Sequence, residues 1–474
     1  MLFNSFTFLI FLPLVFILYW SFKSHHRIQN IILLLASYMF YAWWDYRFLG
    51  LIIASTLVDY WVGLAMGKTE SKIKRNYLLY ISLVFNLGLL GFFKYFNFFI
   101  DSFVDLSTLI GLSANYSTLQ IILPVGISFY TFQTLSYTLD IFRKDILPTK
   151  SLLSFGVYVA FFPQLVAGPI ERAKTLLPQF LKQRQFNYNE AVSGVKLIIL
   201  GLFKKVVIAD NCAFFVDQIF TDPNAFHSGE LWVGAILFSF QIYGDFSGYS
   251  DIAIGTARLF NIKLMTNFKY PYFSKNLADF WHRWHISLST WFRDYVYIPL
   301  GGSRGNRLTQ IRNVIIVFLV SGFWHGANWT FIIWGAIHAL LFLPLIFIGS
   351  KYKVIKRNRI SIKNLLQIVV TFTIVTLAWV FFRAESVTDA SHYILGMFEP
   401  SFLNIEHITK TAKYKLLLLI CLIAILAILM LEFGAFKKNR EEVRLNRYKC
   451  FALVLGLIYL GAYKNPSEFI YFQF

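Results

Sequence analysis

The chain has 474 residues, 57% of them hydrophobic, 19% aromatic and only 15% charged, whereas soluble domains carry roughly 25% charged residues. With a mean hydropathy of +0.57 and three cysteines in no paired pattern, this composition excludes a soluble enzyme, a disordered chain and a secreted disulfide scaffold. The net charge of +19 sits in short loops between apolar runs, so it reads as the positive-inside signal of a multi-pass membrane protein rather than as a nucleic-acid surface.

A membrane crossing needs about 20 apolar residues. In chain order, runs near that length fall at 6–20, 28–44, 49–66, 77–100, 119–139, 192–216, 231–249, 313–348, 365–382, 416–431 and 451–463. The first has no basic segment ahead of it and no small-residue cleavage site behind it, so it reads as a retained helix. The stretch 151–167 is apolar but closes on Phe162-Pro163-Gln164-Leu165-Val166-Ala167-Gly168-Pro169. Its prolines and glycine predict a broken or re-entrant segment, tolerated at membrane depth only inside protein or beside a water-filled cavity. Cys212, Cys421 and Cys450 read as buried thiols.

Loop charges set the orientation. Five basic clusters should face the cytoplasm. They are Lys68, Lys72, Lys74 and Arg75; Arg172, Lys174, Lys182 and Arg184; Arg304, Arg307 and Arg312; Lys351, Lys353, Lys356, Arg357, Arg359 and Lys363; and Lys437, Lys438, Arg440, Arg444, Arg447 and Lys449. The stretches 101–118 and 220–230 hold no Lys or Arg and should face outward. The chain from Arg312 to Lys351 therefore enters and returns, with its turn over 321–328. His325 lies 13 residues beyond Arg312, roughly 20 Å of helix. That is past the midplane of a hydrocarbon core about 30 Å thick.

An ionisable residue inside a membrane is a functional candidate by default. Of nine histidines, His25, His26, His227, His392 and His407 fall at segment ends or in loops and read as solvated. His282, His285, His325 and His338 remain. His325 is the strongest candidate, because a neutral imidazole takes a proton from a hydroxyl and later returns it. Gly322 and Gly326 permit close approach, and Asn328 is placed to orient the ring or donate to a developing oxyanion. The competing reading is a histidine hydrogen-bonded between helices.

His285 lies where Trp281, Trp284, Leu288 and Trp291 recur at helical spacing. Trp281 and His285, four apart, should share one side of that helix. An interfacial belt of Trp, Arg and His is the alternative. A zinc site from His282, His285 and His325 is not expected, since no carboxylate or thiolate stands at ligand spacing. Asp245 and Asp251, six apart, should lie on different helix faces and either pair with Arg258, accept from a histidine, or cap a helix. Gln133 and Asp140 read as polar contacts between helices. No nucleophile elbow, P-loop or dinucleotide fingerprint is present.

These residues, with the motifs at 1–5, 124–129, 162–170, 246–251, 281–302, 321–328 and 469–474, resemble the membrane-bound O-acyltransferase family, in particular its bacterial alginate O-acetylation branch. The resemblance runs over nearly the whole chain. It implies an all-α polytopic membrane fold, a curved ring of about 11–13 membrane helices and re-entrant segments around a central tunnel. It implies one domain over 1–474, with peripheral helices over about 1–118, a catalytic core over about 119–348 and C-terminal helices over about 349–474. His325 matches the family's invariant catalytic histidine and His285 its second histidine. Asn328, Trp324, Trp281 and Asp251 are expected at the substrate.

The same resemblance implies no metal and no bound cofactor, with acetyl-CoA as the acyl donor. Acetyl would pass from the cytoplasm to an extracytoplasmic hydroxyl of a polysaccharide, with an SGNH-type partner completing the transfer. The location would be the cytoplasmic (inner) membrane, among lipids, with no nucleic acid bound. Peptidoglycan O-acetylation and teichoic acid D-alanylation are alternatives on the same fold. A transporter of polysaccharide or lipid intermediates would show internal repeats, and none is evident.

Overall fold

The computed structural model describes residues 1–112, 119–166, 168–348, 361–463 and 467–472. Ala167, the basic residues from Lys351 to Arg359, the end of the loop expected at 101–118, and Gln473 and Phe474 lie outside the described residues. Every regular element among the described residues is helical. Six stretches are long and apolar enough to cross a membrane: His26–Gly67, Lys72–Leu109, Arg307–His325, Trp329–Ile348, Ile362–Arg383 and Ala412–Lys437. The first two, at 42 and 38 residues, are each about twice a single crossing. His26–Gly67 breaks at Asp45, whose side chain accepts from the Arg47 N–H and starts the 3-10 turn Tyr46–Phe48.

The other expected runs are helical too, but too short or too polar to meet the same criterion. Phe6–Ser21 has 16 residues and Arg447–Leu460 has 14. The run expected from 119 becomes helical only at Ile127, behind Pro124 and a left-handed Gly126 with φ of 77°. A Cβ on Gly126 would meet the Leu165 carbonyl oxygen at 2.7 Å, so both conformation and space call for glycine there.

Two compact units are present, Met1–Val195 with Ala253–Met265, and Lys196–Ile252 with Thr266–Phe474. These boundaries do not follow the divisions expected near 118 and 348. Cys212 and Cys421 are buried as expected, whereas Cys450 is half-buried. His407, expected to be merely solvated, sets its Nδ1 3.0 Å from the carboxylate of Glu230, which is fully buried.

In the first unit the segment after Ser151 breaks as the prolines require. Leu152–Ala160 is helical, Phe161 leaves the helical region, and Phe162–Leu165 adds one further turn. Val157 through Phe162 are fully buried, so the break lies inside protein. Its backbone groups are taken up by side chains. The Tyr158 carbonyl accepts from the amides of Gln133 and Gln164, and the Phe162 N–H donates to Ser37 Oγ at 3.0 Å. Gln133 is thus an inter-helix contact, as read from the sequence.

In the second unit the expected hairpin is formed by Arg307–His325 and Trp329–Ile348. The two helices approach through glycines. A Cβ on Gly322 would meet the Phe331 carbonyl oxygen at 2.3 Å, and one on Gly335 the Phe318 carbonyl oxygen at 2.4 Å. Small residues let two backbones approach where lipid offers no hydrophobic drive for association. The turn is shorter than expected. Ser321 through His325 stay helical, and only 326–328 bend. Gly322 therefore serves helix contact rather than the bend. Gly326 makes the turn in extended backbone, with the Phe331 ring where its Cβ would be.

Candidate active site

His325 is the last residue of the entering helix and is 3% exposed. Its imidazole lies among Trp324, Trp334, Phe382 and Tyr471, at ring-centre distances of 5.0, 5.2, 5.3 and 5.8 Å. Aromatic walls on several sides exclude water and fix the ring's plane. A base in such surroundings acts in a medium of low effective dielectric, where charge transfer to and from it is strongly felt.

His285 reaches the same wall from another element. The helix Leu277–Arg283 stops, Trp284 is extended, and His285 is left-handed with φ of 43° before Ile286–Phe292 begins. The expected continuous tryptophan face across 281–291 is therefore broken, and Trp281 and His285 do not share a helix side. What holds this strained backbone is Asn267. Its carbonyl oxygen accepts from the Ile286 N–H at 2.9 Å. Its side-chain oxygen accepts from the Ser287 N–H at 3.2 Å and the Ser287 hydroxyl at 2.9 Å, and lies 3.1 Å from His285 Nδ1.

That set fixes the tautomer. An amide N–H can only donate, so the Asn267 atom facing Ser287 is the oxygen, and His285 Nδ1 must carry the proton. The lone pair is then on Nε2. Asn267 is anchored in turn through Nδ2, which donates to Ser250 Oγ at 3.1 Å. His285 lies outside the six spanning stretches, and burial lowers its pKa to about 3, so the ring is neutral near pH 7. A neutral ring with its tautomer set by an amide oxygen is prepared to accept a proton or a hydrogen bond at Nε2.

Both histidines meet Trp324 and Tyr471. His285 lies 6.2 Å from the Trp324 ring centre and 6.4 Å from that of Tyr471. Tyr471 reaches this place because the segment 467–471 is tied down by a buried ion cluster. Lys205 Nζ lies 2.9 Å from Asp210, 2.8 Å from Asp245 and 3.0 Å from the Ser467 carbonyl oxygen. Asp245 also accepts from the Ile470 N–H at 2.7 Å. The Asp245 carboxylate thus pairs with Lys205 and holds backbone, rather than pairing with Arg258 or a histidine. Burying three charges is favourable only when each is paired and its remaining hydrogen bonds are satisfied.

Asp251, expected at the substrate, is engaged in a neighbouring cluster. Its carboxylate accepts from Lys204 at 2.9 Å, and Lys204 also reaches Glu432 at 3.1 Å. Asn328 does not orient His325. Its Nδ2 donates to the Glu385 carbonyl oxygen and its Oδ1 accepts from the Thr330 N–H, both at 2.9 Å, which caps the returning helix. Trp324, expected at the substrate, lies between the two histidines. Trp281 lies against Phe318, Trp334 and His338 instead. Asn267, Lys205 and Tyr471 were not singled out by spacing. The one sequence signal for Tyr471 was its place in the aromatic motif at 469–474.

The model of the membrane-bound O-acyltransferase family matches residues 37–384. The chain belongs to the membrane-bound O-acyltransferase family. The matched span contains both histidines, Asn267 and the whole hairpin, and Tyr471 lies beyond it. Over 442 residues the chain is 42% identical to the probable alginate O-acetylase AlgI of Azotobacter vinelandii, covering 90% of this chain and 85% of that one. It is 37% identical to the Pseudomonas putida protein of the same name, over all of both chains. It is 35% identical to the peptidoglycan O-acetyltransferase of Helicobacter pylori, over 100% of this chain and 98% of that one. Family membership and the six apolar stretches make the chain a multi-pass membrane O-acyltransferase.

Proposed function

We propose that the chain moves an acetyl group from a thioester donor on the cytoplasmic side to a hydroxyl of an extracytoplasmic polysaccharide, at the cytoplasmic (inner) membrane. The observation that carries this reading is the convergence of His325 and His285 on the Trp324 and Tyr471 rings, at the turn of a hairpin flanked in the sequence by basic residues. His325 removes the proton of the acceptor hydroxyl as its oxygen attacks the thioester carbonyl. A C–O bond forms, the C–S bond breaks, and the imidazolium returns the proton to the departing thiolate. His285, with Nε2 as its lone-pair atom, holds a polar group of the reacting pair in place. The basic loops draw the phosphates of acetyl-CoA to the cytoplasmic face.

The relatives named as probable alginate O-acetylases support a polysaccharide acceptor, and an SGNH-type partner completing the transfer is part of the proposal. The Helicobacter pylori relative supports peptidoglycan as the second reading. In a strain lacking the chromosomal copy, His325→Ala should lower O-acetylation by about 10²–10⁴-fold, the usual contribution of a positioned base. The variant should still elute as a folded protein in detergent. Wild-type transfer by a folded His325→Ala protein would sink the assignment. Ester-bound acetate measured separately on exopolysaccharide and on peptidoglycan decides between the two acceptors.

A further inference from the structure

The reaction leaves one carboxylate of the first unit unused. Asp59 is fully buried in the helix Leu49–Gly67. It lies nine residues before Lys68, about 14 Å of helix, which puts it near the middle of a hydrocarbon core about 30 Å thick. No lysine, arginine or histidine pairs with it among the described residues. Arg75, in the next helix Lys72–Leu90, is buried too, but its guanidinium donates to the carbonyl oxygens of Met66, Ile141 and Phe142. A lone carboxylate at this depth is costly unless a positive charge joins it.

Three helices of that unit surround Asp59 with oxygen atoms. Each supplies two polar residues four apart, and so on one side: Ser55 and Asp59, Ser82 and Asn86, Thr134 and Thr138, all buried. Ser82 Oγ lies 2.5 Å from Asp59 Oδ1. Thr138 Oγ1 lies 3.4 Å from the same oxygen and 3.1 Å from Ser82 Oγ. Asn86 Nδ2 donates to Asp59 Oδ2 at 2.8 Å, and its Oδ1 faces Ser55 Oγ at 2.6 Å and Thr134 Oγ1 at 3.3 Å. Each hydroxyl has one proton to give. Thr138 Oγ1 lies 2.9 Å from the Thr134 carbonyl oxygen, and Thr134 Oγ1 lies 3.2 Å from that of Thr131. Both distances are shorter than those to Asp59 and Asn86. With their protons given to the helix backbone, the two threonines turn lone pairs toward the Asp59 and Asn86 oxygens. In a medium of low dielectric that arrangement repels unless positive charge lies among the oxygens. A proton on Asp59 Oδ1 serves one neighbour. A cation touches several oxygens at once.

We propose that Asp59, Ser82, Thr134 and Thr138 bind a sodium ion, with Asn86 holding the carboxylate in place. One carboxylate balances one positive charge, and a set of oxygen ligands suits a hard cation. The close spacing of the Asp59, Ser82 and Thr138 oxygens favours sodium over the larger potassium ion. The bound ion ties the three helices to one another. Its binding stands apart from acyl transfer, so either can fail without the other.

The test follows thermal unfolding of the full-length protein in detergent as sodium chloride replaces choline chloride at constant ionic strength, so that screening is unchanged. Sodium should raise the midpoint saturably, by about 3 °C, and potassium should raise it less. Asp59→Asn keeps the shape of the side chain and should lose the sodium response. Thr138→Val keeps the carboxylate and should raise the half-maximal sodium concentration roughly tenfold. Radioactive sodium should bind the wild type and not Asp59→Asn. Equal midpoints in sodium, potassium and choline overturn the site, as does a full sodium response in folded Asp59→Asn. Unfolding that follows pH and not sodium puts a proton on Asp59 and overturns it too. Should Asp59→Asn fail to fold, wild-type sodium dependence in Thr138→Val overturns the site by itself.

Discussion

Two breaks in helical backbone have opposite character. At Phe161 the break is closed by protein. Gln133 and Gln164 cover the Tyr158 carbonyl, Ser37 covers the Phe162 N–H, and the surrounding residues are fully buried. At His285 and His325 the backbone is fixed just as firmly, by Asn267 and by the glycine contacts of the hairpin, and there it carries two imidazole rings onto shared aromatic walls. The first break shapes the chain, and its freed backbone groups are taken up by side chains. The second holds rigid backbone behind two histidine rings that share the Trp324 and Tyr471 walls. The distinction between a structural and a functional irregularity in a membrane protein therefore lies in the side chains that the irregular backbone carries, not in the irregularity itself.

Substitutions can break or sharpen that contrast. The largest stability effect is expected from Lys205→Met, which strands Asp210 and Asp245 and releases the segment bearing Tyr471. Removing one partner of a buried charge group costs about 3–5 kcal/mol, so thermal unfolding in detergent should fall sharply and activity with it. A variant as stable as wild type would show that the cluster does not hold the segment. Gly322→Ala comes next, because its Cβ would press on the Phe331 carbonyl oxygen. Overpacking of this kind costs about 1–3 kcal/mol, and kcat should fall as His325 moves relative to Trp334. Retention of wild-type kcat would separate hairpin closeness from catalysis.

Asn267→Ala should lower kcat roughly tenfold by freeing the His285 tautomer and ring, at a small cost in stability. Asn267→Asp keeps an acceptor toward Nδ1 and should recover most of the rate, though it loses the bond to Ser250. Equal loss in both variants would count against tautomer control. The smallest effect is expected at the structural break. Ser37→Ala leaves the Phe162 N–H without its acceptor, costs about 1 kcal/mol of stability, and leaves kcat and KM unchanged. A change in kinetics there would erase the contrast between the two regions.

Much of this was legible in the sequence, for identifiable reasons. The proline and glycine spacing at 162–169 announced a break because those residues act locally. Basic residues on both sides of 313–348 announced a hairpin because basic loops are kept on the cytoplasmic side. His325 followed from that geometry. The partners of His285 were not legible, because Asn267 lies 18 residues away and its effect is exerted through a left-handed backbone conformation that periodicity does not register. The same conformation defeated the helical reading of Trp281 to Trp291. Asp251 and Asn328 were polar residues in apolar surroundings, and spacing alone could not tell a substrate contact from an ion pair or a helix cap. Lys204 and Lys205 sat in an apolar run, and of their carboxylates only Asp210 is near in sequence, while Asp245, Asp251 and Glu432 come from distant segments.

The anchoring of 467–471 has a consequence for biogenesis. That segment is translated after every other described residue the site uses, and its docking brings Tyr471 to both histidines. A nascent chain can therefore have its spanning helices already inserted while the reaction centre still lacks one wall. Assembly of the centre therefore waits on this segment, and a chain interrupted before it carries spanning helices without the Tyr471 wall.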